Sequence, residues 1–389
     1  MIHLRLREEK LKDKKVKDKM LRVGIILRYL WIAGAPKIAI YQTRGLIKQG
    51  CNAELLILAV SPRYRGEYDA LLCNVPHKIL KVPRILEMLE IKMTNLLFRK
   101  LRENERVLPL TTIPLAIKYA RKYDLLLCHD PFSGFVGLLC KIFFKIPYVI
   151  YLHEAPIRHY LLRPLEVIVI KNAAIVLTVT HKVAGVVRSI LRDKVKVKAL
   201  PPGFPVILRK QRTRSDYVLA ASRWDIYRTP FWIISLAREI RNMKFLVLGY
   251  WQSMILYQKI KQQASNYDNI IICKRPVKEE LLNKIIDKSL AVIRFHKTEH
   301  GIATITWEAV HRGVPVIVNK ELGVAPYIRK YGAGVVINKL DHQEVKKALT
   351  EIWINYEKYI ENCYRLAEAF SMSAHAKKLI EIFRNLISR

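Results

Sequence analysis

LRVGIIL (Leu21–Leu27), the turn Ala33-Gly34-Ala35, the segment PKIAIYQTRGLIKQ (36–49) closed by Gly50, and AELLILAV (53–60) decide the fold. The first run is short and almost wholly apolar, which suits a strand buried on both faces. Pro36 stands where a helix favours proline, at its first position, and Gly50 stands where helices stop. The second apolar run then makes another strand. A strand, a glycine turn, a helix and a strand together open a doubly wound parallel sheet.

The same alternation continues down the chain. Strands are expected at 124–128 (DLLLC), 147–152 (PYVIYL), 174–179 (AIVLTV) and 195–199, with helices at 133–144, 161–171 and 182–191 between them. Pro201-Pro202-Gly203 breaks the pattern, and a basic stretch follows through Arg214. The scheme then restarts with strands at 217–221, 244–248, 270–273, 290–295, 314–318 and 334–337. Helices are expected at 230–241, 278–287, 304–311, 324–331, 342–357 and 373–388. The expected class is α/β: two Rossmann-like parallel-sheet domains, 21–203 and 217–365, facing across a cleft and joined by a linker at 204–216. Ligands of such sheets bind at the carboxyl ends of the strands, so the facing loops should carry the chemistry.

Composition narrows the partners. With 389 residues and 51% hydrophobic side chains, the chain has ample material for two cores and is not a disordered polymer. Lys+Arg 68 against Asp+Glu 33 leaves a net charge of +35, which calls for an anionic partner: phosphate, nucleic acid or an acidic membrane face. Six cysteines form no C-x-x-C pair and no signal peptide precedes them, so reduced thiols in a cytoplasmic protein are expected. The greasiest stretch, Leu125–Leu152, is interrupted by His129, Asp130, Lys141, Lys145 and Pro147, so no membrane span is expected. Residues 1–20 carry eight Lys/Arg and four acids; they read as a solvated tail or a start placed too early, with a basic arm for anionic lipid as the alternative. Residues 84–106 read as an amphipathic helix rich in Arg and Lys, in a region (61–122) of thirteen basic and six acidic residues.

Candidate site residues cluster at strand ends. After strand 290–295 the chain reads His296-Lys297-Thr298-Glu299-His300-Gly301-Ile302-Ala303 and enters a helix containing Glu308. His296-x-x-Glu299-His300 fits an inverted zinc-peptidase pattern, but that pattern needs a helix, and here the segment leaves a strand. No metal is expected. Free backbone N–H groups from Gly301 to Ile305 would instead make an anion site at the helix start. Glu308, one turn further in, offers a carboxylate to a sugar diol, or is an ordinary helix glutamate. Arg223 and Arg228 follow strand 217–221 and would neutralise a diphosphate, or else lie as solvated surface charge. His129-Asp130 and His153-Glu154 each end an apolar strand; each histidine is either a proton handler or a structural group, with His153 the better catalytic candidate. Neither a G-x-x-x-x-G-K-[ST] loop nor a G-x-G-x-x-G fingerprint occurs, which disfavours a nucleotide hydrolase or an ordinary dehydrogenase.

In order and spacing these pieces resemble the GT-B glycosyltransferases, specifically family 4 of the retaining nucleotide-sugar transferases, from Leu21 to the C-terminus. Ala33-Gly34-Ala35 stands where that family has a Gly-Gly turn near the donor phosphates. YDLLLCHDPFSG and IPYVIYLHEAP are similar to its two central first-domain strands, and KVKALPPG to the end of its first domain. Arg223 and Arg228 occupy the places of its phosphate-binding Arg and Lys. HGIATITWEAVHRGVPVIV is similar to its donor-sugar segment of two glutamates seven residues apart: the second is Glu308, while His300 holds the first position with Glu299 beside it. Ala303 replaces a usual glycine. FSMSAHAKKLIEIF resembles the final helix (366–389) that returns to the first domain.

The resemblance implies a retaining, metal-independent hexosyltransferase with no cofactor, whose substrate is a nucleoside diphosphate sugar and whose acceptor is a glycan or lipid-linked hydroxyl. Gly34, Arg223, Arg228, Glu299, Gly301, Ile302, Ala303 and Glu308 would bind the donor, and His153 and His300 would act at the reacting sugar. The basic 61–122 region suits an acceptor at an anionic membrane surface, or else presents a solvated helix face; a cytoplasmic protein is expected, peripheral at the inner membrane face on the first of these readings. Two rival readings stand beside it: a catalytically inactive GT-B scaffold and a nucleic-acid-binding protein. No recognisable nucleic-acid module is present, so nucleic acid is not the expected partner.

Overall fold

The computed structural model describes residues 20–61, 64–98, 109–154, 163–191, 195–208, 215–225, 228–296 and 301–388. The first lobe runs β1 (Arg22–Leu30), α1 (Gly34–Lys48), β2 (Asn52–Val60), α2 (Asp69–Leu72), β3 (His77–Ile79), α3 (Arg84–Phe98), α4 (Ile113–Ala120) and β4 (Leu125–Cys128). It continues with α5 (Pro131–Phe144), β5 (Tyr148–Leu152), α6 (Arg163–Asn172), β6 (Ile175–Thr178), α7 (His181–Leu191) and β7 (Val197–Ala199). The second lobe runs β8 (Tyr217–Trp224), α8 (Pro230–Glu239), β9 (Lys244–Trp251), α9 (Met254–Ala264), β10 (Ile270–Ile272), α10 (Glu279–Asp287) and β11 (Ala291–Arg294). After these come α11 (Thr304–His311), β12 (Val316–Asn319), α12 (Ala325–Tyr331), β13 (Gly334–Ile337), α13 (His342–Ile354), α14 (Tyr356–Ala369) and α15 (Met372–Ile387).

Both sheets are parallel throughout. The first is ordered β3-β2-β1-β4-β5-β6-β7 and the second β10-β9-β8-β11-β12-β13. Each order reverses beside its first strand, between β1 and β4 and between β8 and β11, and such a switch point opens a crevice at the strand ends. Ile25 of β1 lies opposite Leu55 and Leu127, and Leu219 of β8 lies opposite Leu246 and Val292. Strands covered on both faces need apolar side chains on both, which is why these runs do not alternate with polar residues.

β1 and β8 each outrun their apolar segments. β1 continues through Arg28-Tyr29-Leu30 and β8 through Ser222-Arg223-Trp224, because β2 and β9 extend alongside and keep both backbones paired. The β8 extension carries Arg223 to Trp31 of the first lobe, while Arg28 on the β1 extension pairs with Asp130 of its own lobe. Helix α1 and α15 then stitch the molecule: His375 on α15 hydrogen-bonds Gln42 of α1 at 2.9 Å, and Gln49 donates to Ser373 Oγ at 2.9 Å. The Pro201-Pro202-Gly203 segment lies under this helix. Pro201 O pairs with His375 Nδ1 (2.8 Å), Pro202 O accepts from Trp307 Nε1 (2.8 Å), and a Cβ on Gly203 would sit 2.5 Å from Ser371 O. Among the described residues no helix is long and apolar enough to cross a membrane. The six cysteines are free thiols.

Candidate functional site

Two helix starts meet on the seam between the lobes. Gly34 opens α1 and Thr304 opens α11, and they approach so closely that a Cβ on Gly34 would lie 1.9 Å from Thr304 Oγ1. Each start presents unpaired backbone N–H groups and the positive end of a helix dipole. Neither has a capping side chain: Ala33 and Ala303 are the residues at the two N-cap positions. Ala303 reaches its place with φ +49°, in the left-handed region. Gly301 lies against His153, its would-be Cβ 3.1 Å from the His153 carbonyl oxygen, and Gly301, Ile302 and Ala303 are all buried. The structure thus brings Gly34, Gly301, Ile302, Ala303 and His153 to one place.

Arg223 lies on β8 and faces Trp31 of the first lobe, its guanidinium carbon 5.8 Å from the ring centroid. Its Nε is buried without a partner. Arg228 behaves differently from its neighbour. Its side chain is ion-paired with Asp225, whose carboxylate also accepts from the Arg228 backbone N–H at 3.1 Å, though its Nε too is buried and unpartnered.

Glu308 is buried on α11. Its Oε1 accepts from Lys37 Nζ at 2.8 Å, and the same amine stands 2.5 Å from Glu279 Oε2. Its Oε2 is buried with no hydrogen-bond partner. Burial pushes the Glu308 carboxyl up to about 7; Lys37 pulls it down and Glu279 pushes it up again. Burial would also strip the proton from Lys37, but the two carboxylates more than reverse this and the amine stays charged.

His153 closes β5, and its Nε2 shares a 2.9 Å hydrogen bond with His129 Nδ1 rather than using the acid that follows it in sequence. The rings stack with centroids 5.1 Å apart. Burial lowers the His153 pKa to about 4, with Asp130 opposing weakly, so the ring is neutral at neutral pH. His129 is buried more deeply and is also held well below its ordinary range by burial. Asp130 is a structural group: it caps α5 through a capping box with Ser133 and pairs with Arg28 at 2.9 Å. Glu299 and His300 lie outside the described residues, as does most of the 1–20 tail.

Lys37, Glu279, Trp31 and Thr304 are the site residues that sequence reasoning missed. For Lys37 a signal existed. A lysine in the first turn of a helix opposes the dipole, and such a local conflict marks a residue held by something distant.

The comparisons agree with this fold. Residues 32–207 match the model of Glycosyltransferase Family 4. HepE of Anabaena, solved in complex with UDP and glucose, superposes with a TM-score of 0.71 at 12% identity, covering 94% of this chain and 100% of its own. A glycosyltransferase from Rickettsia africae gives 0.72 at 12% identity, covering 95% and 100%. Sucrose-phosphate synthase from Thermosynechococcus elongatus gives 0.70 at 15% identity, covering 95% and 99%. No curated protein matches the sequence. The chain has the GT-B fold of the glycosyltransferases, and its first lobe is similar to Glycosyltransferase Family 4; the resemblance drawn from the motifs is borne out.

Proposed function

We propose that the protein is a hexosyltransferase that takes a hexose from a nucleoside diphosphate sugar and passes it to a hydroxyl of a glycan or lipid-linked acceptor, with retention and without a metal. One observation carries this reading: two uncapped helix starts converge at Gly34 and Thr304 on the seam where Arg223 faces the other lobe. Like positive dipole ends repel, and an anion between them turns that cost into binding. A pyrophosphate suits such a place. The UDP held by HepE, a protein of the same fold, is of this chemistry.

As the donor bond breaks, negative charge grows on the phosphate oxygens. Arg223, Arg228 and the N–H groups following Gly301 would stabilise that charge in place of a metal ion. Glu308 would hold the ribose. Neutral His153 would orient a hydroxyl of the acceptor or sugar rather than neutralise charge, and His300 and Glu299 would hold the hexose. Approach of the lobes would keep water from the donor.

The acceptor would come in over the first lobe. Helix α3 supports this by turning Ile85, Leu86, Met88 and Leu89 outward, beside exposed Lys81, Arg84 and Lys92, while its Glu90 turns inward to Thr111. Apolar groups among cations suit an anionic membrane face.

The test is calorimetry with UDP, GDP and ADP on Arg223→Ala and Glu308→Gln. Each variant should keep its fold and lose about tenfold or more in affinity, since charge-assisted contacts are worth roughly 1.5–3 kcal/mol. Unchanged affinity in both variants for the nucleotide that binds best would remove the assignment.

A further inference from the structure

The Lys37 ammonium belongs to one lobe and both of its carboxylate partners to the other. Lys37 sits in the first turn of α1, Glu279 in the first turn of α10 and Glu308 on α11, and all three side chains are almost fully buried. The grouping is lopsided in charge, with one cation between two anions. Glu279 has further support, since its Oε1 accepts from Asn283 Nδ2 at 3.3 Å and it lies at the favourable end of its own helix. Glu308 has none beyond Lys37: one oxygen takes the amine and the other is orphaned. Arg312, the other cation near Glu308, is committed to Asp287 through two hydrogen bonds of 2.8 and 2.6 Å. On the first-lobe side Tyr41 and Tyr68 face the amine; both phenols are held neutral chiefly by burial, and Tyr68 donates to Ala33 O at 2.9 Å.

A buried carboxylate beside another carboxylate stays ionised only where a cation is held against it. The geometry points to Lys37 as a positioning residue. From the first lobe it favours the ionised form of Glu308 and fixes its rotamer, so that Oε2 is presented to the nucleotide's ribose only when the lobes are together. This rests on the reading of Glu308 as the ribose-binding group. The consequence is a nucleotide site in the second lobe that is finished by a side chain of the first.

The experiment is calorimetric binding from pH 6 to 9, on the full chain, using whichever of UDP, GDP and ADP the wild type binds tightest. Lys37→Met removes the cation, so the pH midpoint of binding should rise by about one unit or more, a loss of about fivefold or more at pH 7 that recovers toward pH 9. Glu279→Gln removes the neighbouring like charge and should move the midpoint the other way. A merely structural role for the lysine predicts no such opposed pair of shifts. If Glu308→Gln weakens binding while Lys37→Met and Glu279→Gln both leave the midpoint in place, the positioning role is overturned and the ribose reading stands. If Glu308→Gln changes nothing, the ribose reading fails and takes the proposal with it. Should Lys37→Met not fold, the downward shift in Glu279→Gln carries the test, and its absence overturns the proposal.

Discussion

Ala303 is the sharpest feature at the scale of one residue. Its φ of +49° costs a side chain with a Cβ about 1–2 kcal/mol, and nothing in its own chemistry repays that. Replacement by glycine removes the strain but adds roughly 0.4–1 kcal/mol of unfolded-chain entropy. Ala303→Gly should therefore stabilise the protein by about 0.5 kcal/mol. A small rise in urea midpoint with an unchanged slope is the expected result; a fall would show that the left-handed turn is not strained. The position was legible in part, because an alanine stands there where the family that the motifs resemble would place a glycine. Its conformation was not, since a single backbone angle leaves no trace in periodicity. Lys37 teaches the converse: its partners lie 242 and 271 residues away, beyond any local pattern, and only its misplacement at a helix start betrays it.

At the scale of elements, the meeting of α1 and α11 makes a prediction of its own. Gly34→Val would drive branched methyls into Thr304 and hold the two helix starts apart. Nucleotide affinity should fall by about tenfold or more, the cost of overpacking by roughly 1–3 kcal/mol. Gly34→Ala should be milder and partly rescued by Thr304→Ala, because the nearest atom it meets is the Thr304 hydroxyl. Equal affinity in wild type and Gly34→Val would mean that the close approach has no bearing on the site. Helix α3 makes a second. Replacing Ile85 and Leu89, which are 69% and 53% exposed, by serine should reduce co-sedimentation with vesicles containing phosphatidylglycerol and leave nucleotide binding intact. No difference between the variant and the wild type on such vesicles would remove the membrane arm of the proposal. The strands and helices that alternate in two apolar series were legible, down to α11 at 304–311. The ends of β1 and β8 were not: Arg28 and Arg223 look like loop residues until a neighbouring strand pairs with them. Helices α4, α9 and α14 were also missed; α9 is almost neutral in hydropathy, and α14 follows α13 after a break at Asn355 that no glycine or proline marks.

At the scale of the whole molecule, the lowered histidines His129, His153, His311 and His375 make stability depend on pH. Burial lowers His153, His311 and His375 to about 4, and His129 well below its ordinary 6.5. As pH falls from about 6.5 toward 4, the unfolded chain takes up protons that the folded one refuses. Each histidine then costs about 1.4 kcal/mol per pH unit. Glu308 acts with the opposite sign, because its raised pKa lets the folded state take a proton first, but it is one group against four. The melting temperature should fall steeply between pH 6.5 and 5, and His375→Gln should make that fall shallower. A flat melting temperature over that interval would contradict the burial of these rings.

A seam built for a nucleoside diphosphate should respond in a thermal-shift titration with UDP, GDP, ADP and their sugar conjugates. A ligand at a hundred times its dissociation constant stabilises the folded state by about 2.7 kcal/mol. At least one of these nucleotides should raise the melting temperature by several degrees in the wild type and much less in Arg223→Ala. If no nucleotide or nucleotide sugar at millimolar concentration moves the wild-type transition, the seam is not a donor site and the transferase reading is wrong.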